Sequence, residues 1–466
     1  MSRVPAPGES LAERALDRVS GGRPIPGNRV RLLHDGPEVY PAMLAQVASA
    51  QRWIHFDNYI IRDDRTGQQF AEALAAKARE GVRVRVLTDW LGSWSTRPRY
   101  WRELRHAGVE VRRFGPPDLW NLRRNLTREH RKLVVVDGER AIAGGLCIGD
   151  EWAGDAMEGR RPWRDSAMEI AGPAAASLDQ AFGHVWDLLG SPVPPEHRRG
   201  SVSEQGTAAV RVVAGEPGGV RGSRVIELLI AGAAERVWIA DAYLVAPRGT
   251  FRTLLDAARS GVDVRLLVPS TSDLPHVRNL TRTGYRALLE AGVRIFEWRG
   301  AMLHAKAAVT DGRWVRMGST NINVLSLIAN YELDVLVDDE GLAQDMEAQF
   351  RRDFEQSAEV VLGRLPRDGR GLAFRPPEEP VAASHAPGFR ERRRRAIVAL
   401  RAVIGGSERA LFLQQMLLLA LVAALLLVLP RASGLVLGGI AAWVALTSAV
   451  DVLRNRRSTN GAGPAY

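Results

Sequence analysis

One pattern of side chains occurs twice in this chain, and it limits the available folds more than any other feature. The run EHRKLVVVDGERAIAGGLC, Glu129 to Cys147, sets His130, Lys132 and Asp137 at spacings of two and five, then Gly144 and Gly145. The run LHAKAAVTDGRWVRMGSTN, Leu303 to Asn321, repeats those spacings with His304, Lys306 and Asp311, then Gly318, Ser319 and Asn321. The flanks repeat too. Arg29 to Ile60 parallels Ala209 to Leu244, with Trp53 and Trp238 as matching aromatics. Ala75 to Asp89 parallels Leu255 to Pro269, and Leu104 to Phe114 parallels Leu288 to Trp298. Offsets between paired markers run from 174 to 185 residues, so the repeat is domain-sized and not a solenoid unit.

Each copy alternates short β-branched runs with helical patterns, which predicts an α/β fold with a mixed sheet flanked by helices in each half. KLVVVDG (Lys132 to Gly138) and KAAVTDG (Lys306 to Gly312) read as strands running into turns. Residues i and i+2 of a strand share a face, so His130 projects with Lys132 and His304 with Lys306. Asp137 and Asp311 each precede a glycine, where a carboxylate ties a turn by hydrogen bonds. The segments divide as 1–28, a flexible lead-in; 29–190, a first lobe; 191–207, a linker; 208–362, a second lobe; and 363–388, a Pro/Gly-rich tether.

The far end has a different character. Ala410 to Leu429 and Ala432 to Val450 are uncharged and each long enough to cross a bilayer core, with Pro430 and Arg431 between them. We expect a two-helix transmembrane hairpin over 410–453, the alternative being a helical pair buried in a soluble core. Seven arginines lie from Arg390 to Arg409, within a basic juxtamembrane segment at 389–409, and Arg454, Arg456 and Arg457 follow in the tail at 454–466. That bias places the turn outside and both lobes and both tails in the cytoplasm. The N-terminus has no apolar stretch of the signal-peptide kind.

Net charge is +10 for the chain, of which residues 386–466 carry +8. The folded body is therefore close to neutral, unlike a nucleic-acid binder, and the positive excess lies where it attracts anionic lipid headgroups or simply sets topology. Leu119, Trp120 and Leu122 interleave with Arg123, Arg124 and Arg128, which suits a loop dipping into a membrane surface or an ordinary solvated loop.

Two histidines can share a displacement at phosphorus, one attacking while the other protonates the departing alcohol. Lysines and a Gly-Ser-x-Asn segment offer charge and donors to phosphate oxygens, so Ser319, Asn321 and Gly145 are expected to bind phosphate. No carboxylate or histidine cluster has metal-ligand spacing, so we expect neither metal nor cofactor.

HRKLVVVD (130–137), GG (144–145), WRD (163–165), HAKAAVTD (304–311), GSTN (318–321) and ANYELD (329–334) together resemble the phospholipase D superfamily, and within it the bacterial cardiolipin synthases. The resemblance spans roughly 29–360. It implies two phospholipase D-like lobes related by a pseudo-twofold axis, meeting at one active site. It carries Asp137 and Asp311 along with the catalytic motif, and adds an acidic partner orienting each histidine: Asp165 for the first lobe and Glu332 for the second. It further implies His130 as nucleophile, His304 as acid/base, a phospholipid substrate such as phosphatidylglycerol, and a bacterial inner-membrane location. Cys147 departs from the family pattern, which has Asn at that position as at Asn321. Three activities remain open: phosphatidyl transfer, hydrolysis of a phosphodiester, and an impaired scaffold.

Overall fold

The computed structural model describes residues 11–118, 124–155, 157–198, 200–364 and 370–375. The hairpin at 410–453, its arginine-rich flanks, most of the tether and Leu119 to Arg123 lie outside them. Among the described residues no helix is long and apolar enough to cross a membrane.

The duplication is visible strand by strand. The first half supplies β1 (Ile25–His34), β2 (Trp53–Asn58), β3 (Arg83–Asp89), β4 (Glu110–Phe114), β5 (Lys132–Val136), β6 (Arg140–Gly144) and β7 (Ser166–Ala171). The second supplies β8 (Ala208–Gly215), β9 (Arg236–Asp241), β10 (Asp263–Pro269), β11 (Arg294–Trp298), β12 (Lys306–Thr310), β13 (Trp314–Gly318) and β14 (Glu332–Asp338). Their spatial orders are β1-β7-β6-β5-β2-β3-β4 and β8-β14-β13-β12-β9-β10-β11, so adding seven to each label of the first gives the second. β2, β3 and β4 run parallel, as do β9, β10 and β11, while the other pairs within each half are antiparallel. β1 meets β8 through an irregular antiparallel pairing that joins the halves into one sheet. On the second half β15 (Ser357–Arg364) and β16 (Arg370–Arg375) extend that sheet to sixteen strands.

β5 and β12 are buried along their whole length, as strands covered on both faces are. On one face the helices Pro173–Leu188 and Glu340–Glu355 cover a core common to both halves, in which Phe182 and Trp186 belong to one helix and Phe350 and Phe354 to the other. On the other face each half keeps its own core. The shared core fixes one half against the other, which a site assembled from both requires.

The β5–β6 and β12–β13 connections show why an aspartate precedes each glycine. Asp137 and Gly138 have φ of 55° and 69°, and Asp311 and Gly312 of 52° and 62°. An Asp-Gly pair tolerates two consecutive left-handed residues better than most sequences do. Asp137 accepts from the backbone N–H groups of Gln51, Arg52 and Trp53 at 2.8–2.9 Å, and Asp311 from those of Ala234, Glu235 and Arg236 at 2.8–2.9 Å.

Two expectations need correction. The lead-in at 1–28 is not flexible throughout: Leu11–Ser20 is a helix whose Leu16 packs on Val213, Val225, Leu229 and Leu336 of the second half, and β1 starts at Ile25. Asp17 of that helix pairs with Arg211. Trp53 and Trp238 are not equivalent either. Asp137 N–H bonds Trp53 O and Asp311 N–H bonds Arg236 O, so Arg236 is the true counterpart of Trp53.

Candidate active site

Each His-x-Lys enters its strand from a bridge to the other half. His130 N–H donates to Tyr331 O at 3.0 Å, and His304 N–H to Arg164 O at 2.7 Å. In return Tyr331 N–H bonds Arg128 O and Arg164 N–H bonds Met302 O. These reciprocal bonds bring residues 164–165 beside His304 and residues 331–332 beside His130. The carboxylates are consequently exchanged. His130 Nδ1 lies 3.0 Å from both oxygens of Glu332, and His304 Nδ1 lies 2.7 Å from Asp165 Oδ2. The sequence expectation paired Asp165 with the first lobe and Glu332 with the second; each in fact orients the histidine of the opposite half. With Nδ1–H held by a carboxylate, Nε2 is the nitrogen left for chemistry on both rings, and on His304 it lies 3.1 Å from Lys306 Nζ.

The two carboxylates are braced differently. Glu332 accepts from Ser319 Oγ at 2.5 Å, from Ser326 Oγ and from Asn330 Nδ2 at 3.3 Å. Asp165 accepts from Trp152 Nε1 at 3.2 Å and from Ser166 N–H at 2.8 Å. Burial pushes the Asp165 carboxyl up, but His304 and Lys306 outweigh it and hold it below the ordinary aspartate range. Burial acts the same way on Glu332 and is outweighed by His130, Lys132 and Ser319. Both are thus anions.

Both histidines are shifted down as well, which for an imidazole favours the neutral form. Burial lowers His130, Glu332 opposes this and Lys132 adds to it. Burial followed by Lys306 brings His304 down to about 4, against the pull of Asp165. Lys306 falls to about 8 through burial and the nearby Lys132, despite Asp165. Two lysines beside two neutral imidazoles offer cations to a phosphate anion, whose charge would raise both histidines again. Lys132 Nζ donates to His130 O at 2.5 Å and lies 5.1 Å from the Tyr59 ring centroid; Lys306 Nζ lies 3.1 Å from His304 Nε2 and 5.8 Å from the Tyr243 centroid. Tyr59 meets the His130 ring edge-on at 4.8 Å, and Tyr243 meets His304 at 6.0 Å.

Several site residues do something other than expected. Asp137 and Asp311, carried with the motif as catalytic, are at the opposite ends of β5 and β12 from the histidines and serve the turns. Gly145 does not offer its N–H to a ligand, because that group bonds Ser166 O at 3.0 Å. Its role is clearance: a Cβ there would lie 2.1 Å from Asp165 Oδ1. Ser319 spends its hydroxyl on Glu332 and its N–H on Leu333 O at 3.0 Å, so it positions a carboxylate instead of binding phosphate. Asn321 keeps its amide oxygen buried and without a partner among the described residues, while its N–H bonds Ser326 Oγ at 2.9 Å. Cys147, the counterpart of Asn321, is buried, and burial pushes its thiol up. No three His, Cys, Asp or Glu side chains among the described residues converge as a metal site would require.

Sequence reasoning missed Trp152, Tyr59, Tyr243 and Ser326 as site residues, and used Trp163 only as a marker. Trp163 stands 5.8 Å from His304 and 4.5 Å from Trp152, centroid to centroid. Ser326 sits at the same 174-residue offset from Trp152 that relates the histidines. That offset was the signal available for finding both.

The family profile described as cardiolipin synthase, PLD-like domain, matches residues 43–186 and 226–354. The chain belongs to the phospholipase D-like cardiolipin synthase family. Within that family, cardiolipin synthase A of Pseudomonas aeruginosa is 35% identical over 363 residues, covering 77% of this chain and 73% of the relative. Cardiolipin synthase of Geobacillus kaustophilus is 33% identical over 378 residues, with the same coverage of each. Among solved structures, the phosphatidylserine synthase of Haemophilus influenzae Rd KW20 shares the fold, with a TM-score of 0.59 at 16% identity over 75% of this chain and 92% of that one. This family member is therefore a mixed α/β enzyme of the phosphatidyltransferase type.

Proposed function

We propose that the protein joins two phosphatidylglycerol molecules into cardiolipin and releases glycerol. The observation that carries this reading is the pair of crossed histidine–carboxylate couples, each with its own lysine, in a chain of the cardiolipin synthase family. In the first step His130 Nε2 forms a bond to the lipid phosphorus as the phosphorus–oxygen bond to the glycerol headgroup breaks. His304, protonated once the substrate's phosphate charge has raised it, gives its Nε2 proton to the departing glycerol oxygen. In the second step the hydroxyl of another phosphatidylglycerol attacks the phosphohistidine, the P–N bond breaks, and that hydroxyl's proton returns to His304. Glu332 stabilises positive charge developing on His130, and Asp165 does so for His304. Lys132 and Lys306 balance the negative charge gathering on the phosphoryl oxygens. The apolar runs at 410–453 and their arginines anchor the enzyme to the cytoplasmic face of a bacterial inner membrane, which holds its substrate.

Purified protein supplied with phosphatidylglycerol in mixed micelles should form cardiolipin and glycerol in equal amounts. Phosphatidic acid as the main product would instead assign the protein as a hydrolase, and no lipid product at all would overturn both.

A further inference from the structure

A cleft of about 550 Å³ is lined by Asp64, Asp150, Glu151, Arg160, Arg161 and Trp163, and the Trp163 ring centroid stands 5.8 Å from that of His304. It is separated from the catalytic carboxylate by a single helical turn, Asp150–Ala153. Trp152 of that turn faces inward and donates to Asp165, whereas Asp150 and Glu151 face the cleft. The Trp163 ring forms a wall common to the cleft and to His304. Its backbone is pinned to the same turn by a Trp163 N–H to Glu151 O bond of 3.0 Å. Anything held in this cleft rests against the side chain that borders the acid/base histidine.

The charges of the lining divide into committed and uncommitted groups. Asp150 accepts from Thr66 N–H at 3.0 Å and Thr66 Oγ1 at 2.6 Å. Asp64 accepts from Gly67 N–H at 2.9 Å and from Asp150 N–H at 2.8 Å. Arg160 pairs with Glu158 at 2.7 Å, and Glu151 approaches Arg62 at 3.4 Å. Arg161 is exposed and has no ion pair among the described residues. The cleft thus offers carboxylate oxygens for hydroxyl groups, an indole face for carbon, and an uncommitted guanidinium for an anion.

Joining two glycerophospholipids requires such a combination. The reacting phosphorus occupies the two histidines and two lysines. The incoming molecule brings a second phosphate, one three-carbon glycerol away from the hydroxyl that attacks. That phosphate needs a cation which the catalytic centre does not supply. We propose that this cleft is the subsite for the second phospholipid headgroup: its phosphate meets Arg161, its glycerol lies on Trp163 beside Glu151, and its terminal hydroxyl reaches His304. This rests on the phosphatidyl-transfer reading and extends it to the choice of acceptor.

The test gives the full-length enzyme phosphatidylglycerol together with isotopically labelled free glycerol. Free glycerol returns the phosphatidyl group as labelled phosphatidylglycerol and carries no phosphate for Arg161 to meet, whereas cardiolipin formation needs the second lipid. In Arg161→Gln the ratio of cardiolipin to labelled phosphatidylglycerol should fall about tenfold, the scale of one charge-assisted hydrogen bond. Arg161→Lys should recover most of that ratio. An unchanged ratio in Arg161→Gln, or an equal fall in both products, would overturn the subsite, the latter because a structural defect does not discriminate between acceptors. Wild-type enzyme that exchanges glycerol or releases phosphatidic acid without making cardiolipin would overturn the transfer reading itself, a separate outcome.

Discussion

The two half-sites share a backbone plan and a carboxylate, a lysine and a tyrosine around each histidine, and differ in the side chains that brace the carboxylates. Around His130 the support is hydroxyl-rich, with Ser319, Ser326 and Asn330 gathered on Glu332. Around His304 it is indole-rich, with Trp152 bonded to Asp165 and Trp163 against the ring. Gly145 stands opposite Ser319, Cys147 opposite Asn321, and Trp152 opposite Ser326 at one constant offset. Behind the motifs the contrast is sharper. Asp57, Glu129 and Arg131 in the first half correspond to Ala240, Leu303 and Ala305 in the second, which are ordinary members of the shared core. Arg131 reaches Glu332 O at 3.2 Å, Ala181 O at 2.6 Å and Gly215 O at 3.3 Å, fastening the first motif to the other half. Duplication provides two histidines; divergence makes them unequal, as a nucleophile and an acid/base must be.

The largest effects should come from the histidines. His130→Ala and His304→Ala should each lower turnover about a thousandfold or more. An activated phosphodiester, whose leaving group needs no protonation, separates the two. The adduct should accumulate in His304→Ala and be absent in His130→Ala, read by acid-labile phosphorus on intact protein. The reverse pattern would exchange the two assignments, and an adduct in neither variant would remove the covalent step.

The crossed pairing makes the next prediction. Asp165→Asn lies in the first half yet should behave as a weaker His304→Ala, losing roughly a hundredfold in turnover while still forming the adduct with the activated substrate. Glu332→Gln, in the second half, should instead slow adduct formation. If each carboxylate variant mimicked the histidine of its own half, the exchange of partners would not govern the chemistry.

How much of this was legible beforehand follows a physical divide. The repeat, the strand–helix alternation and the shared faces of His130 and Lys132 are local properties, fixed by periodicity and spacing. The Asp-Gly turns are also local, and there the residues' own reading proved sounder than the motif that made Asp137 and Asp311 catalytic. The partner exchange was not legible, because it depends on bridges such as Glu129 to Tyr331 that span about two hundred residues of sequence. The misjudged roles of Gly145 and Ser319 have the same origin: a glycine beside a motif does not reveal which distant carboxylate fills its empty side. Trp152 and Ser326 share no chemistry beyond an N–H or O–H donor, so only position relates them.

The buried acids behind His130 predict a pH effect on stability, to which the buried Asp241 of the second half, raised to about 6 by burial, adds a smaller part. Asp57 and Glu129 are both inaccessible to solvent and face each other, with Arg131 Nε 3.7 Å from Glu129 Oε1. Burial raises Asp57 to about 7, with Arg131 pulling it down, and burial followed by Asp57 raises Glu129 well above the usual range. The native state therefore holds a proton on each of these carboxyls that the unfolded chain releases near pH 4, and unfolding in this window sheds them. Stability should fall as pH rises from about 4 to about 7, approaching 1.4 kcal/mol per pH unit for one proton. Asp57→Asn should reduce that slope by the share of one proton, with Glu129 and Asp241 keeping the rest, in a series of unfolding temperatures taken across the window. A slope unchanged by the substitution would place that proton elsewhere.

The smallest effect should come from the residue that departs most visibly from the family pattern. Cys147 is fully buried in the core of the first half, and its carbonyl accepts from Tyr40 Oη at 2.5 Å. Burial holds its thiol protonated, so it brings no charge near Lys132 or Lys306. Its side chain acts as a small apolar filler, whereas Asn321 carries a polar amide at the equivalent place. Cys147→Ala should therefore change turnover by less than about threefold and cost stability through the lost volume, on the order of 1 kcal/mol. Cys147→Asn tests the asymmetry from the other side. Adding an amide here buries polar atoms among Ile148, Leu146 and Ile61, so it should lower the unfolding temperature without raising turnover. A gain in turnover on restoring Asn would mean that the two halves are meant to be alike at this position, and that their difference there is a defect instead of a division of labour.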